Sequence, residues 1–84
     1  MEITLEISYY PLHDDYNRTV SQFIKQLSGR HNLQVETGVM SSLVIGEYND
    51  VMTALKETMQ PFLENYSSVF KISLASACKP CKTL

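Results

Sequence analysis

The sequence predicts an α+β domain, a four-stranded antiparallel sheet with two helices on one of its faces. Three observations predict it. The chain opens on a strict alternation, Ile3, Leu5, Ile7 and Tyr9 against Glu2, Thr4, Glu6, Ser8 and Tyr10. Two apolar stripes with helical spacing follow, each after a strand-like segment. Between the stripes, two strand-like segments meet at Gly38, which leaves room for a hairpin.

The opening alternation has period two, so it reads as a strand with one apolar and one polar face. Pro11 ends it, having no N–H to give to a ladder. Tyr16, Val20, Phe23, Ile24 and Leu27 then recur at i, i+4, i+7, i+8 and i+11, one stripe on a helix. Asp14 or Asp15 is expected as its N-cap, where a carboxylate satisfies free N–H groups at the positive end of the dipole. Gly29 fits just past its end, near Ser28. Leu33, Val35 and Thr37 alternate with Gln34 and Glu36 as a second strand, and Met40 to Glu47 reads as a third, with Gly46 near its end.

Asn49-Asp50 repeats the capping chemistry ahead of Val51, Leu55, Met59 and Phe62, a second helical stripe. Met52 and Met59 are expected in the core with it. Pro61 removes an N–H and crowds the carbonyl of Glu57, which predicts a bend or a short second piece from Phe62 to Asn65. Val69 to Ala75 closes the domain as a strand, with Phe70, Ile72 and Leu74 on one face and Lys71 and Ser73 on the other.

The order is therefore βαββαβ, the ferredoxin-like arrangement, in which both stripes pack on the apolar faces of the first and last strands. Residues 1–77 are expected to form the domain and residues 78–84 a C-terminal tail. The second sheet face, with Glu6, Ser8 and Tyr10, is left uncovered. A homodimer or homotetramer is the expected way to hide it.

The chain has 84 residues, of which 44% are apolar and 19% charged. One domain fits that length, burying roughly 60–65% of its unfolded surface, without depth for a multi-residue catalytic cleft. A net charge of −2 lacks the basic patch that nucleic acid or an anionic membrane surface requires. No apolar run approaches a bilayer span, and no signal-peptide pattern opens the chain, so a cytoplasmic location is expected.

Catalytic patterns do not emerge. His13 and His31 flank the first helix at opposite ends, too far apart to share a metal, and neither accompanies a nucleophile. The three glycines form no phosphate loop. RNA-recognition modules share the βαββαβ order but place aromatic and basic residues on central strands, where this chain has Glu2, Glu6 and Glu47. Asp14-Asp15 is explained by capping. Cys78-Lys79-Pro80-Cys81 invites a redox or zinc reading, but no helix follows to lower a thiol pKa, and one such pair is half of a zinc site. An exposed tail is the plainer reading. No enzyme activity, metal or cofactor is expected.

Polar groups around the sheet are more informative. Tyr10 closes the first strand, Thr37 closes the second, and Ser41 and Ser42 lie at the third. A phenol ring and small hydroxyls on adjacent strands suit a flat heterocycle, the ring stacking on it or facing a positive charge while the hydroxyls read its nitrogens. The same residues also fit the solvent face of an ordinary strand.

At these positions the sequence resembles the YkoF-type thiamine/hydroxymethylpyrimidine-binding family. The resemblance runs from Ile3 to about Cys78. It rests on Ile7-Ser8-Tyr9-Tyr10-Pro11-Leu12 with Asp14-Asp15-Tyr16, on Thr37 with Met40-Ser41-Ser42-Leu43-Val44 and Gly46, and on Asp50-Val51-Met52. It implies non-enzymatic binding of thiamine or its hydroxymethylpyrimidine precursor, in support of uptake or salvage, by a single-domain member whose copies pair. Tyr10, Thr37, Ser41 and Ser42 match family positions, Ser42 standing where a Thr is more usual. Glu6 is a further candidate, as a carboxylate near a thiazolium cation. Cys78-Lys79-Pro80-Cys81 departs from the family's Cys-Pro-Gly-like ending. The alternative is a homo-oligomeric interaction or regulatory module with no vitamin ligand.

Overall fold

The computed structural model describes residues 1–30 and 32–76. His31, the domain boundary expected after residue 77, and the Cys78/Cys81 pair lie outside the described residues. The chain runs β1 (Glu2–Pro11), α1 (Tyr16–Ser28), β2 (Leu33–Thr37), β3 (Ser42–Glu47), α2 (Tyr48–Asn65) and β4 (Ser68–Ala75). The strands form one antiparallel sheet in the order β2-β3-β1-β4, the expected ferredoxin-like α+β arrangement.

Alternation decides which face is covered. Ile3, Leu5, Ile7 and Tyr9 of β1 are buried with Val44, Phe23, Leu27, Val51, Leu55 and Phe62 in one core between sheet and helices. Tyr9 sits at its aromatic end, stacked on Phe70 with ring centroids 4.2 Å apart and edge-on to Phe23 and Phe62. Its hydroxyl shares a 2.9 Å hydrogen bond with Ser68 Oγ, which keeps a polar atom satisfied beside the core.

Several local expectations are corrected. Asp15 occupies the N-cap of α1, but its carboxylate makes no capping bond and lies 3.6 Å from Arg18 instead. The Asp15 carbonyl takes the Thr19 hydroxyl, and Thr19, not Tyr16, is the buried residue on that turn, leaving Tyr16 exposed. His13 Nε2 completes the group, 2.9 Å from Thr19 Oγ1. The stripe that faces the core is Thr19, Phe23 and Leu27, with Val20 and Ile24 along its border.

α2 begins at Tyr48, ahead of the expected Asn49-Asp50 cap, because the Glu47 side chain accepts the Asn49 N–H at 2.8 Å. It also continues through Pro61 to Asn65 as one helix. Burial of Thr58 and Phe62 on either side of the proline ties both turns to the core, and that packing outweighs a lost helical hydrogen bond. Arg30 strengthens the attachment, donating to Glu57 Oε1 at 2.7 Å and to Thr58 Oγ1 at 3.2 Å.

Met52 is exposed rather than in the core, and so are Ile72 and Leu74 of β4. α2 packs chiefly over β3 and β1, and a groove separates it from Ile72 and Leu74. β3 starts at Ser42 and not at Met40, so Ser41 belongs to the hairpin turn. Among the described residues no helix is long and apolar enough to cross a membrane.

Candidate functional site

The site follows from a mismatch in strand length. β3 pairs with β1 only from Glu2 to Ile7, because the β2–β3 hairpin turns back beside Ser8. β1 runs on through Pro11, paired with β4 alone. Along Ser8 to Pro11, alternate main-chain N–H and C=O groups on the other flank of β1 therefore meet no strand. The first turns of α1 stand over that flank, and the hairpin turn closes its end. A hollow of about 720 Å³ results, within the size range of small-molecule sites.

The turn is tightly built. The Gly38 N–H donates to the Ser41 carbonyl at 2.8 Å, and a Cβ on Gly38 would lie only 2.8 Å from that same oxygen. Ser8 Oγ donates to the Met40 carbonyl at 3.2 Å, fixing the turn against β1. Thr37 and Ser42 are cross-strand partners at its base. Ser42 is only 4% exposed, held on the helix side of the sheet next to Val44.

Tyr10, Thr37, Ser41 and Ser42 all line this one hollow. They reach it from different directions: Tyr10 from the open face at the end of β1, the cross-strand partners Thr37 and Ser42 from the helix side, and Ser41 from the turn. Glu6 is not a lining residue. It stands behind Ser41, whose hydroxyl donates to the Glu6 carboxylate at 2.8 Å.

Sequence reasoning missed the α1 wall and the mouth. Tyr16, Asn17 and Ser21 line the hollow from α1; spacing alone puts Tyr16 on the core stripe. Val39 and Met40 also line it, yet are 100% and 80% exposed. Two large apolar side chains at the tip of a polar hairpin were a readable signal, since turn tips favour Gly, Asn, Asp and Ser.

Among the described residues, no charged side chain lines the hollow. Aromatic and aliphatic groups make the walls, with hydroxyls and the Asn17 amide as the polar points. Such a surface desolvates a flat ring and reads its polar edge by hydrogen bonds, while a cation gains most from the faces of Tyr10 and Tyr16.

Solved structures of the same fold include three thinly related ones. A Thermotoga maritima protein assigned provisionally to thiamine biosynthesis or salvage aligns with a TM-score of 0.80 at 19% identity, covering 92% of this chain and 85% of that one. A Bacillus cereus domain of unknown function, DUF77, gives 0.76 at 17%, covering 92% and 77%. A Streptococcus pneumoniae protein gives 0.86 at 15%, covering 99% and 94%. No family model matches the chain, and no curated protein matches it significantly. Identities this low establish the shared fold.

Proposed function

We propose that this domain binds thiamine or its hydroxymethylpyrimidine half in the hollow beside β1, without transforming it, in a salvage or uptake role. One observation carries the reading: Tyr10, Thr37, Ser41 and Ser42 line a single uncharged hollow of about 720 Å³. The Thermotoga maritima neighbour's assignment to thiamine biosynthesis or salvage supports the choice of ligand.

An aminopyrimidine carries an exocyclic donor and ring-nitrogen acceptors on one planar edge. Hydroxyls of Thr37, Ser41 and Ser42 and the free main-chain groups of β1 complement that edge. Tyr10 and Tyr16 supply faces for the ring or for a thiazolium. Leaving such hydroxyls desolvated and unpaired would cost about 1–3 kcal/mol each, which lets a small site discriminate between rings.

Calorimetric titration tests the proposal, with thiamine and hydroxymethylpyrimidine injected separately. The expected result is saturable binding at one ligand per hollow, lost in Tyr10→Ala, with a melting temperature that rises with ligand concentration. Absence of heat and of any thermal shift at millimolar concentrations of both compounds would overturn it.

A further inference from the structure

We infer that the hollow beside β1 takes its ligand as the free alcohol and excludes, by charge, the phosphate ester of the same molecule. The inference deepens the vitamin reading above and rests on it.

Charge around the hollow is one-sided. Among the described residues, no Lys, Arg or His lines it. Carboxylates stand close by instead. Glu6 lies behind Ser41, accepting its hydroxyl at 2.8 Å. Glu36 precedes the lining residue Thr37 and shares the open face with Glu6, the two flanking Leu43 in one cross-strand row. Asp14 and Asp15 directly precede Tyr16, and both are exposed.

The described cations do not offset these groups. Arg18 follows Asn17 on α1, but its guanidinium lies 3.6 Å from the Asp15 carboxylate. Lys71 sits opposite Ser8, on the β4 side of β1, whereas the hollow lies on the β3 side. Lys25 belongs to the last turn of α1, away from Tyr16 at its start. Arg30 is bonded to Glu57, and Lys56 lines the groove between α2 and β4.

The first-turn N–H groups of α1 would ordinarily attract phosphate. Asp14 and Asp15 already place two negative charges at that end, where the helix dipole favours them. An anion approaching the same N–H groups meets both carboxylates.

A phosphate ester carries about 1.5–2 negative charges at neutral pH. Inside the hollow those charges would lose water and gain no counter-charge, and an unpaired buried anion is strongly disfavoured. A free hydroxyl escapes that cost. It both donates and accepts, and Ser21, Thr37 or the Asn17 amide can answer it. The thiazolium of thiamine is attracted by the same carboxylates that repel the ester. A site with this preference holds the alcohol ahead of a phosphoryl-transfer step and lets the product of that step go.

The test is calorimetric titration of the full chain at 0.01 M and 0.15 M salt. The ligands are thiamine, thiamine diphosphate and the acetyl ester of thiamine, whose arm is uncharged. Thiamine and its acetyl ester are expected to bind alike, with the diphosphate at least about tenfold weaker at low salt. The Debye length falls from about 30 Å to about 8 Å between the two salts, so the gap narrows at the higher one. Asp14→Lys/Glu36→Lys, checked for folding by circular dichroism, narrows it at low salt. Should that variant not fold, the salt series on the native chain decides alone. A diphosphate that binds as tightly as thiamine overturns the inference and leaves the vitamin reading standing. So does an acetyl ester rejected as strongly as the diphosphate, since size and not charge would then be read. A gap that salt and the lysine variant both leave untouched overturns it as well. Absence of binding by thiamine itself overturns both readings together.

Discussion

The Ser41 hydroxyl donates its only hydrogen to the Glu6 carboxylate, at 2.8 Å, from a turn to the middle of β1. With that hydrogen committed, the Ser41 oxygen faces the hollow as an acceptor. It therefore suits a ligand donor, such as the exocyclic amine of an aminopyrimidine, better than a ring nitrogen. A carboxylate acceptor also makes the bond stronger than a neutral pair would.

Ser41→Ala is expected to weaken thiamine binding by about three- to tenfold, the worth of one net hydrogen bond of roughly 0.5–1.5 kcal/mol. Glu6→Gln keeps an acceptor but removes the charge, so its loss should be smaller. Both side chains are near the surface, so melting temperatures should barely move. Calorimetry on the two variants checks the order, and a larger loss in Glu6→Gln would place the carboxylate itself against the ligand.

Glu47 predicts an acid-sensitive helix start. The Asn49 N–H donating to its carboxylate holds the Glu47 pKa below the ordinary value of 4.5. A lowered folded-state pKa means that the ionised form stabilises the fold. That contribution is fully present above the ordinary value and is lost as pH falls through the lowered one. Thermal melts from neutral to strongly acid pH should show the wild-type advantage over Glu47→Gln shrinking in that window.

Gly46 is predicted to resist any side chain. A Cβ there would lie 2.9 Å from Leu33 Cδ2, 3.0 Å from the Asn32 carbonyl and 3.3 Å from Val51 Cγ2. Asn32 itself has a φ of 64°, a left-handed conformation that asparagine tolerates, so its carbonyl has little freedom to retreat. Gly46→Ala should cost about 1–3 kcal/mol, as overpacking does. Urea denaturation measures it, and an unchanged midpoint would mean that the β2–β3 hairpin shifts freely.

The legible parts of the fold were those set by local periodicity. Alternation in β1 identified Ile3, Leu5, Ile7 and Tyr9 as inward-facing, because a strand's side chains must alternate. The misreadings came from tertiary geometry. Tyr16, Met52, Ile72 and Leu74 carry apolar side chains at proper spacing, but only the lateral placement of the helices decides whether such a position is covered. Capping failed for a different reason: Asp15 and Glu47 have similar chemistry, and the sequence does not show which carboxylate reaches a free N–H. The hollow was partly legible, since Tyr10, Thr37, Ser41 and Ser42 flank strand ends. Its α1 wall was not, because nothing local relates Asn17 or Ser21 to a turn some twenty residues on.

The exposed tip of the hairpin carries the last prediction. Val39 and Met40 contribute nothing to the core, and water surrounds them. An apolar side chain gains about 1.5–3 kcal/mol when buried, relative to leaving it exposed. Nothing within the described residues covers either one, whereas both line the same hollow as Tyr10 and Tyr16. A flat ligand seated in that hollow would cover part of this surface. Val39→Ser/Met40→Ser should therefore leave the unfolding midpoint in place while lowering thiamine affinity about tenfold, a change near 1.4 kcal/mol. The effect should appear mainly in the dissociation rate, because the tip holds the ligand rather than steering it. Stopped-flow and calorimetric measurements on the double variant separate the possibilities. Unchanged affinity would confine recognition to the hydroxyl floor, and a lowered midpoint would make the tip a structural element.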